Sequence, residues 1–352
     1  MPIGLEVRPM AVRLMRLAPV RFFGAVLPRE VIAFCYHTVS DESLPHVRPM
    51  YPYKTAAQFE ADLVYLKSRF RLLSYEELAE ARRTGRPVGP NAALLTFDDG
   101  YAECHSTARP LLLKHGVPCV FFVTTGVLDN ARMLLFNQIA LCIDARRRLG
   151  EESDGAFREL EAELGVELRS FSCFERWMQG SGADSHPAVD RLCERLGVDV
   201  DGFLATRRPY MTREQVRELA ADGFTIGGHT IGHRHLGSLP ADECSREIVE
   251  SCREVASVTA AAEPIPFAFP YDARGVRRDT LRQLRHEHPF LGLMFGSDQM
   301  EVDEDFLMNR ILADTPPRGG RPVSNLPGYL RGAYFDAIRE RLAPRRAAGG
   351  AA

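Results

Sequence analysis

Seven short apolar runs, separated by helix-like stretches, constrain the fold more than any other feature of the chain. They are VIAFCY (31–36), AALLTF (92–97), PCVFFVT (118–124), GFTIGG (223–228), IPFAF (265–269), LGLMFG (291–296) and NRILA (309–313). Their hydrophobicity is near-continuous rather than alternating, as in a strand buried on both faces. The stretches between them carry helix-start signals. Thr55-x-x-Gln58, Ser74-x-x-Glu77 and Thr212-x-x-Gln215 have the capping-box form, and Gly223 stops the third helix. After the first cap, Phe59, Leu63, Leu66 and Phe70 recur at helical spacing. This alternation predicts an α/β fold with a parallel sheet covered by helices.

Seven strands suit a closed barrel or a doubly wound sheet, and in both the chemistry gathers at the C-terminal strand ends. Here YH follows the first run, DDGY the second, HTIGH the fourth and PYD the fifth. The expectation is a (β/α) barrel of about seven parallel strands with one polar rim, spanning 31–315. Residues 131–209 interrupt the alternation. They are helix-like, hold the one tryptophan (Trp177) and are far too long for an ordinary loop, so they read as a helical insertion over or beside the rim. After the barrel, 316–352 reads as a linker, a last helix and a flexible Arg/Ala/Gly tail.

The remaining composition mainly excludes. A net charge of −3, with 44 basic against 47 acidic residues, provides no field for a nucleic-acid partner. None of the eight cysteines forms a C-x-x-C pair, and several lie in apolar runs, so they read as buried thiols of a reducing compartment. Residues 1–30 are basic and amphipathic, with Arg13, Arg16 and Arg21 set among apolar residues. Charge inside the run argues against a secretory leader. The segment reads either as a helix packed on the domain or as a peripheral contact with an anionic membrane surface. A cytoplasmic location, at the inner face of the membrane in the second case, is the matching expectation. Oligomeric state leaves no signal.

Two stretches carry chemistry. In ALLTFDDGY (93–101), Asp98 and Asp99 stand side by side where a core strand ends. Asp and Gly are good turn residues, and a turn alone would account for DDG. In GGHTIGHRHL (227–236), His229 and His233 stand four apart, so one helical turn would aim both imidazoles the same way, with His235 facing elsewhere. Two imidazoles and a carboxylate with an open position make a catalytic site for one divalent metal, with Zn²⁺ the first expectation. If Asp99 is the ligand, Asp98 is free to act as a base, which gives a reason for two carboxylates where a turn needs one.

Together TFDDGY (96–101), HTIGH (229–233), FAFPYD (267–272) and the early YHTV (36–39) resemble the polysaccharide deacetylase family, also called the NodB-homology or carbohydrate esterase family 4 fold. The resemblance covers roughly 31–314. It implies a distorted barrel and metal-dependent hydrolysis of an N-acetyl group on an amino sugar. Carried over by position, Asp98 matches the general base, and Asp99, His229 and His233 match the metal ligands. Tyr271 matches the turn whose backbone N–H helps hold the oxyanion.

The chain departs from the family pattern in three places. No arginine precedes the PY turn to pair with the base; Arg310 is the first substitute and Arg274 the second. The late Leu-x-His that supplies the acid is absent, and YHTV points to the permuted branch in which His37 takes that place. PYD replaces the commoner PYG, leaving Asp272 without an account. Other readings are a related amidohydrolase acting on a non-sugar amide, and a carbohydrate-binding protein without turnover.

Overall fold

The computed structural model describes residues 30–168, 170–261, 264–298, 300 and 303–342. The basic N-terminal stretch lies outside them, apart from Glu30. Eight parallel strands form one sheet: β1 (Val31–Tyr36), β2 (Arg71–Leu72), β3 (Ala92–Phe97), β4 (Val120–Val123), β5 (Thr225–Gly228), β6 (Ile265–Ala268), β7 (Leu291–Gly296) and β8 (Leu307–Leu312). The order β1-β8-β7-β6-β5-β4-β3 closes through a β1–β3 pairing into a barrel of seven parallel strands. β2 is the additional strand. Among the described residues it pairs only with Ala92 and Ala93 at the start of β3, whereas β4 pairs with Thr96 and Phe97. Two residues are too few to show a hydrophobic period, which is why the sequence does not reveal it. β8 begins two residues earlier than its apolar run, and β4 and β5 begin two later.

All three capping boxes form, on the helices Ala56–Arg69, Tyr75–Thr84 and Arg213–Ala221. Each Thr or Ser side chain satisfies an orphan N–H of the first turn, an effect worth ~1 kcal/mol. Phe59, Leu63 and Leu66 are fully buried on the first of these helices. Tyr36, Phe97 and Phe121, from three neighbouring strands, stack at 5.5 Å centroid spacing. The insertion comprises the helices Leu135–Leu149, Asp154–Leu164, Phe171–Ser181, Pro187–Arg195 and Val200–Arg207. Among the described residues no helix is long and apolar enough to cross a membrane.

The strand register sets the rim. β1 and β3 pair residue for residue from Val31↔Ala92 to Tyr36↔Phe97, so His37 and Asp98 leave the barrel together. The Asp98 N–H donates to the Tyr36 carbonyl at 2.9 Å. Ala33↔Arg310 aligns β8 with β1, and Val123↔Gly228 aligns β5 with β4, which delivers His229 beside them. Beneath this rim the fully buried Lys54 ion-pairs with Asp62, donates to Asn325 Oδ1 at 2.9 Å and lies under the Tyr36 ring. Asn325 donates to the Thr315 carbonyl at 2.9 Å, so the buried pair also anchors the chain leaving β8.

Candidate active site

Asp98 and Asp99 diverge because the backbone turns between them. Asp99 has φ 71° and Gly100 φ 87°, two consecutive left-handed residues. Asp tolerates that region through its short polar side chain, and Gly100 suits its position because at φ 87° any other side chain would be strained. The DDG turn is thus real, and it aims the two carboxylates in different directions.

Asp98 receives a two-pronged ion pair from Arg310, with Nη1–Oδ1 2.6 Å and Nη2–Oδ2 2.7 Å. Arg310 is fully buried, and its remaining donors reach Gly296 O at 3.1 Å and Thr96 Oγ1 at 3.0 Å. Burial opposes ionisation of Asp98, but Arg310 and then His229 outweigh it and hold the carboxyl below the usual range. Arg274 instead pairs with Asp298 at the surface.

Asp99 faces the two histidines. Its Oδ1 lies 3.3 Å from His229 Nε2 and 3.2 Å from His233 Nε2, and this buried oxygen makes no hydrogen bond of good geometry among the described residues. His229 places its other nitrogen, Nδ1, 2.9 Å from the Ala268 carbonyl, which fixes the proton there and leaves the Nε2 lone pair turned to Asp99. Ring packing holds His233, with Phe136 at 4.6 Å and Tyr271 at 5.0 Å. A carboxylate oxygen and two imidazole nitrogens within 4.8 Å of one another fit a divalent cation. Tyr51 donates to the second Asp99 oxygen at 3.2 Å.

The histidine spacing of four does not come from a helical turn. Residues 229–233 form a loop in which Thr230 (φ 63°) and His233 (φ 57°) are left-handed, and the helix Ala241–Thr259 begins later. Glu247, buried on that helix, accepts from the N–H groups of Ile231 (2.7 Å) and Gly232 (3.2 Å). Thr230 Oγ1 accepts from the His233 N–H at 2.8 Å. Gly228, just before the loop, lets Ser251 and Cys252 approach so closely that a Cβ would meet both at 2.9 Å.

His37 stands beside Asp98 on the rim, 19% exposed at its side chain, with Nδ1 2.7 Å from Asp314 Oδ2 and its own N–H 2.8 Å from Asp314 Oδ1. Burial disfavours the imidazolium, but Asp314 dominates and pushes its pKa up to about 10. Tyr271 has φ 62°, and Ser297 Oγ donates to its carbonyl. No hydrogen bond from the Tyr271 N–H is present among the described residues. Asp272 gains an account: its Oδ1 accepts from the Arg274 N–H at 2.7 Å and lies 3.6 Å from His235 Nε2. His235 also meets the Tyr271 ring at 5.9 Å, so it supports the turn rather than facing elsewhere.

All seven candidate residues therefore converge at one end of the barrel. Six of them line a pocket of about 340 Å³, with Arg310 buried beneath it. Phe171, Glu175 and Met178 of the insertion wall this pocket. A larger groove of about 940 Å³ lies at the opposite end, against the starts of β5, β6 and β7, and contains none of these groups. Asp314, Tyr51, Glu247 and Glu175 were not singled out from the sequence. Asp314, two residues past β8, could have been found by asking which polar residue follows every strand.

The seven-stranded parallel barrel carries at one rim a carboxylate–bis-imidazole cluster that could hold a cation, beside an arginine-paired carboxylate. The polysaccharide deacetylase family model matches residues 85–149 and 173–290, more than half of the chain, and the chain belongs to that family. Over 99 residues it is 27% identical to a poly-β-1,6-N-acetyl-D-glucosamine N-deacetylase of Escherichia coli K12. That match covers 28% of this chain and only 14% of the relative. The deacetylase PplD of Streptococcus pyogenes, solved with acetate, superposes with a TM-score of 0.52 at 15% identity, over 89% of this chain and 98% of that one. IcaB from Ammonifex degensii gives a TM-score of 0.48 at 16% identity, over 86% and 97% of the two chains. At 15% identity the likeness to PplD concerns the fold.

Proposed function

We propose that this protein hydrolyses the N-acetyl group of an amino sugar within a glycan or glycoconjugate, with Asp99, His229 and His233 holding one divalent cation, Zn²⁺ first. The observation that carries the reading is the unbonded Asp99 oxygen facing two imidazole nitrogens, next to an ionised Asp98. An N₂O donor set also accommodates other first-row ions. When bound, such a cation polarises the acetyl carbonyl and acidifies water.

The chain's own residues supply the remaining functions. Asp98, kept ionised by Arg310, takes the proton from the attacking water. The Tyr271 N–H, unclaimed among the described residues, donates to the oxyanion as the carbonyl carbon becomes tetrahedral. His37, protonated against Asp314, gives its proton to the departing amine, and the C–N bond breaks to leave acetate and the free amino sugar. Phe171, Met178 and Phe136 exclude water around the reacting group.

The Escherichia coli relative supports a β-1,6-linked N-acetylglucosamine polymer as the first substrate to try. A panel of N-acetylated sugars, free, nucleotide-linked and polymeric, assayed for acetate release provides the test. Release from at least one sugar is expected. Glycan binding without release from any of them would favour a binding protein.

A further inference from the structure

The pocket contains four carboxylates, and three of them are accounted for. Asp98 pairs with Arg310, Asp314 pairs with His37, and Asp99 belongs to the cation site. The fourth, Glu175, has no hydrogen bond or ion pair among the described residues, although it is half-buried in the wall. Among those residues no lysine or arginine lines the pocket. Its carboxylate oxygens are not among the buried unpartnered atoms, so this half-buried group stays open to the pocket and available to a donor that enters it.

Glu175 is also held firmly. Its helix, Phe171–Ser181, ends at a segment clamped to the histidine loop by two arginines. Arg132 joins Asp184 (3.0 Å) to the Ile231 carbonyl (3.2 Å). Arg234 donates to the Gly182 carbonyl at 2.6 Å while pairing with Glu243. The insertion and the His229–His233 loop are therefore bound together, which fixes the distance between Glu175 and the reacting centre. Glu175 stands on the Tyr271 side, where burial first and its charge second push the Tyr271 phenol up. Burial raises the pKa of Glu175 itself, and a cation lowers that cost more than a neutral hydroxyl does.

We propose that Glu175 is a specificity-determining residue that pairs with an ammonium group on a sugar unit beside the one being deacetylated. The preferred substrate class is then a glycan already carrying some free amino sugars, so that each deacetylation prepares the next. Sugars bearing carboxylate or phosphate beside the reacting unit are disfavoured. This inference rests on the deacetylase reading above.

The test uses the metal-loaded full chain, wild type and E175Q, at neutral pH. Binding of a short β-linked glucosamine oligosaccharide and of its N-acetylated counterpart is measured by calorimetry. Acetate release is measured from fully and from partly N-acetylated oligosaccharides. A charge-assisted hydrogen bond predicts that E175Q binds the glucosamine oligosaccharide roughly tenfold or more weakly, with less than about a twofold change for the N-acetylated one. E175Q should also lose the wild-type preference in kcat/KM for the partly acetylated substrate. Equal changes for both ligands, no change for either, or no wild-type preference would overturn the proposal. Glutamate-dependent glucosamine binding without acetate release from any substrate would support the pairing and overturn the deacetylase reading instead.

Discussion

Arg310 and Asp98, 212 residues apart in the chain, meet in a two-pronged ion pair inside the closed barrel. Arg310 is held on one side by Gly296 O and Thr96 Oγ1 and lies 5.2 Å over the Phe122 ring. The guanidinium fork therefore fixes both the charge state and the orientation of the carboxylate, which a point charge such as lysine cannot do.

Asp98→Asn should retain the cation and the fold but lose ~10²–10⁴-fold in turnover, the usual cost of removing a positioned base. Arg310→Ala should instead destabilise the protein by ~3–5 kcal/mol, because it leaves a buried charge unpaired. Denaturant melts compared with acetate-release rates separate the two effects. A stable Arg310→Ala protein would show that Asp98 is compensated from elsewhere.

Removing either imidazole should empty the cation site. Metal content of purified His229→Ala and His233→Ala is expected to fall far below that of the wild type. Glu247→Ala should leave the three ligands in place yet weaken metal affinity ~10–100-fold, since Glu247 satisfies the N–H groups that shape the loop. Wild-type affinity in Glu247→Ala would mean that the loop holds its shape without that partner.

The pH dependence follows from His37 and Asp314. A histidine whose pKa rises to about 10 on folding stabilises the protein fully below its unfolded value, ~6.5, and progressively less as pH climbs toward 10. Between pH ~5 and ~10, the stability difference between wild type and Asp314→Asn should therefore be largest at the low end and shrink upward. The alkaline limb of the rate profile should move to lower pH in Asp314→Asn. An unmoved limb would assign that limb to another group.

His37→Ala should bind metal normally and lose turnover on an N-acetyl sugar. It should lose less on an activated acetyl ester, whose leaving group needs no proton. Equal losses on both would indicate a role for His37 in binding or folding.

What the sequence made legible depended on range. Asp98, Asp99, His229 and His233 follow strands whose apolar runs are unmistakable, so their convergence at one rim was legible from position alone. The pairing of His37 with Asp314 spans 277 residues and exists only because β8 closes against β1. Glu247 and Glu175 sit on helices with ordinary amphipathic patterns, where a buried or pocket-facing carboxylate looks like any solvated one. The spacing of His229 and His233 suggested a helical turn, but backbone strain shared by Thr230 and His233, stabilised by Glu247, produces the same convergence.

The central proposal is a cation held by Asp99, His229 and His233 that serves hydrolysis of an N-acetyl sugar. The most direct measurement strips the wild-type protein with a chelator and titrates it with Zn²⁺ while acetate release from an N-acetylglucosamine oligosaccharide is followed. Activity should be absent in the stripped protein, rise in proportion to added ion and level off at one equivalent. Undiminished acetate release from the stripped protein would contradict the account.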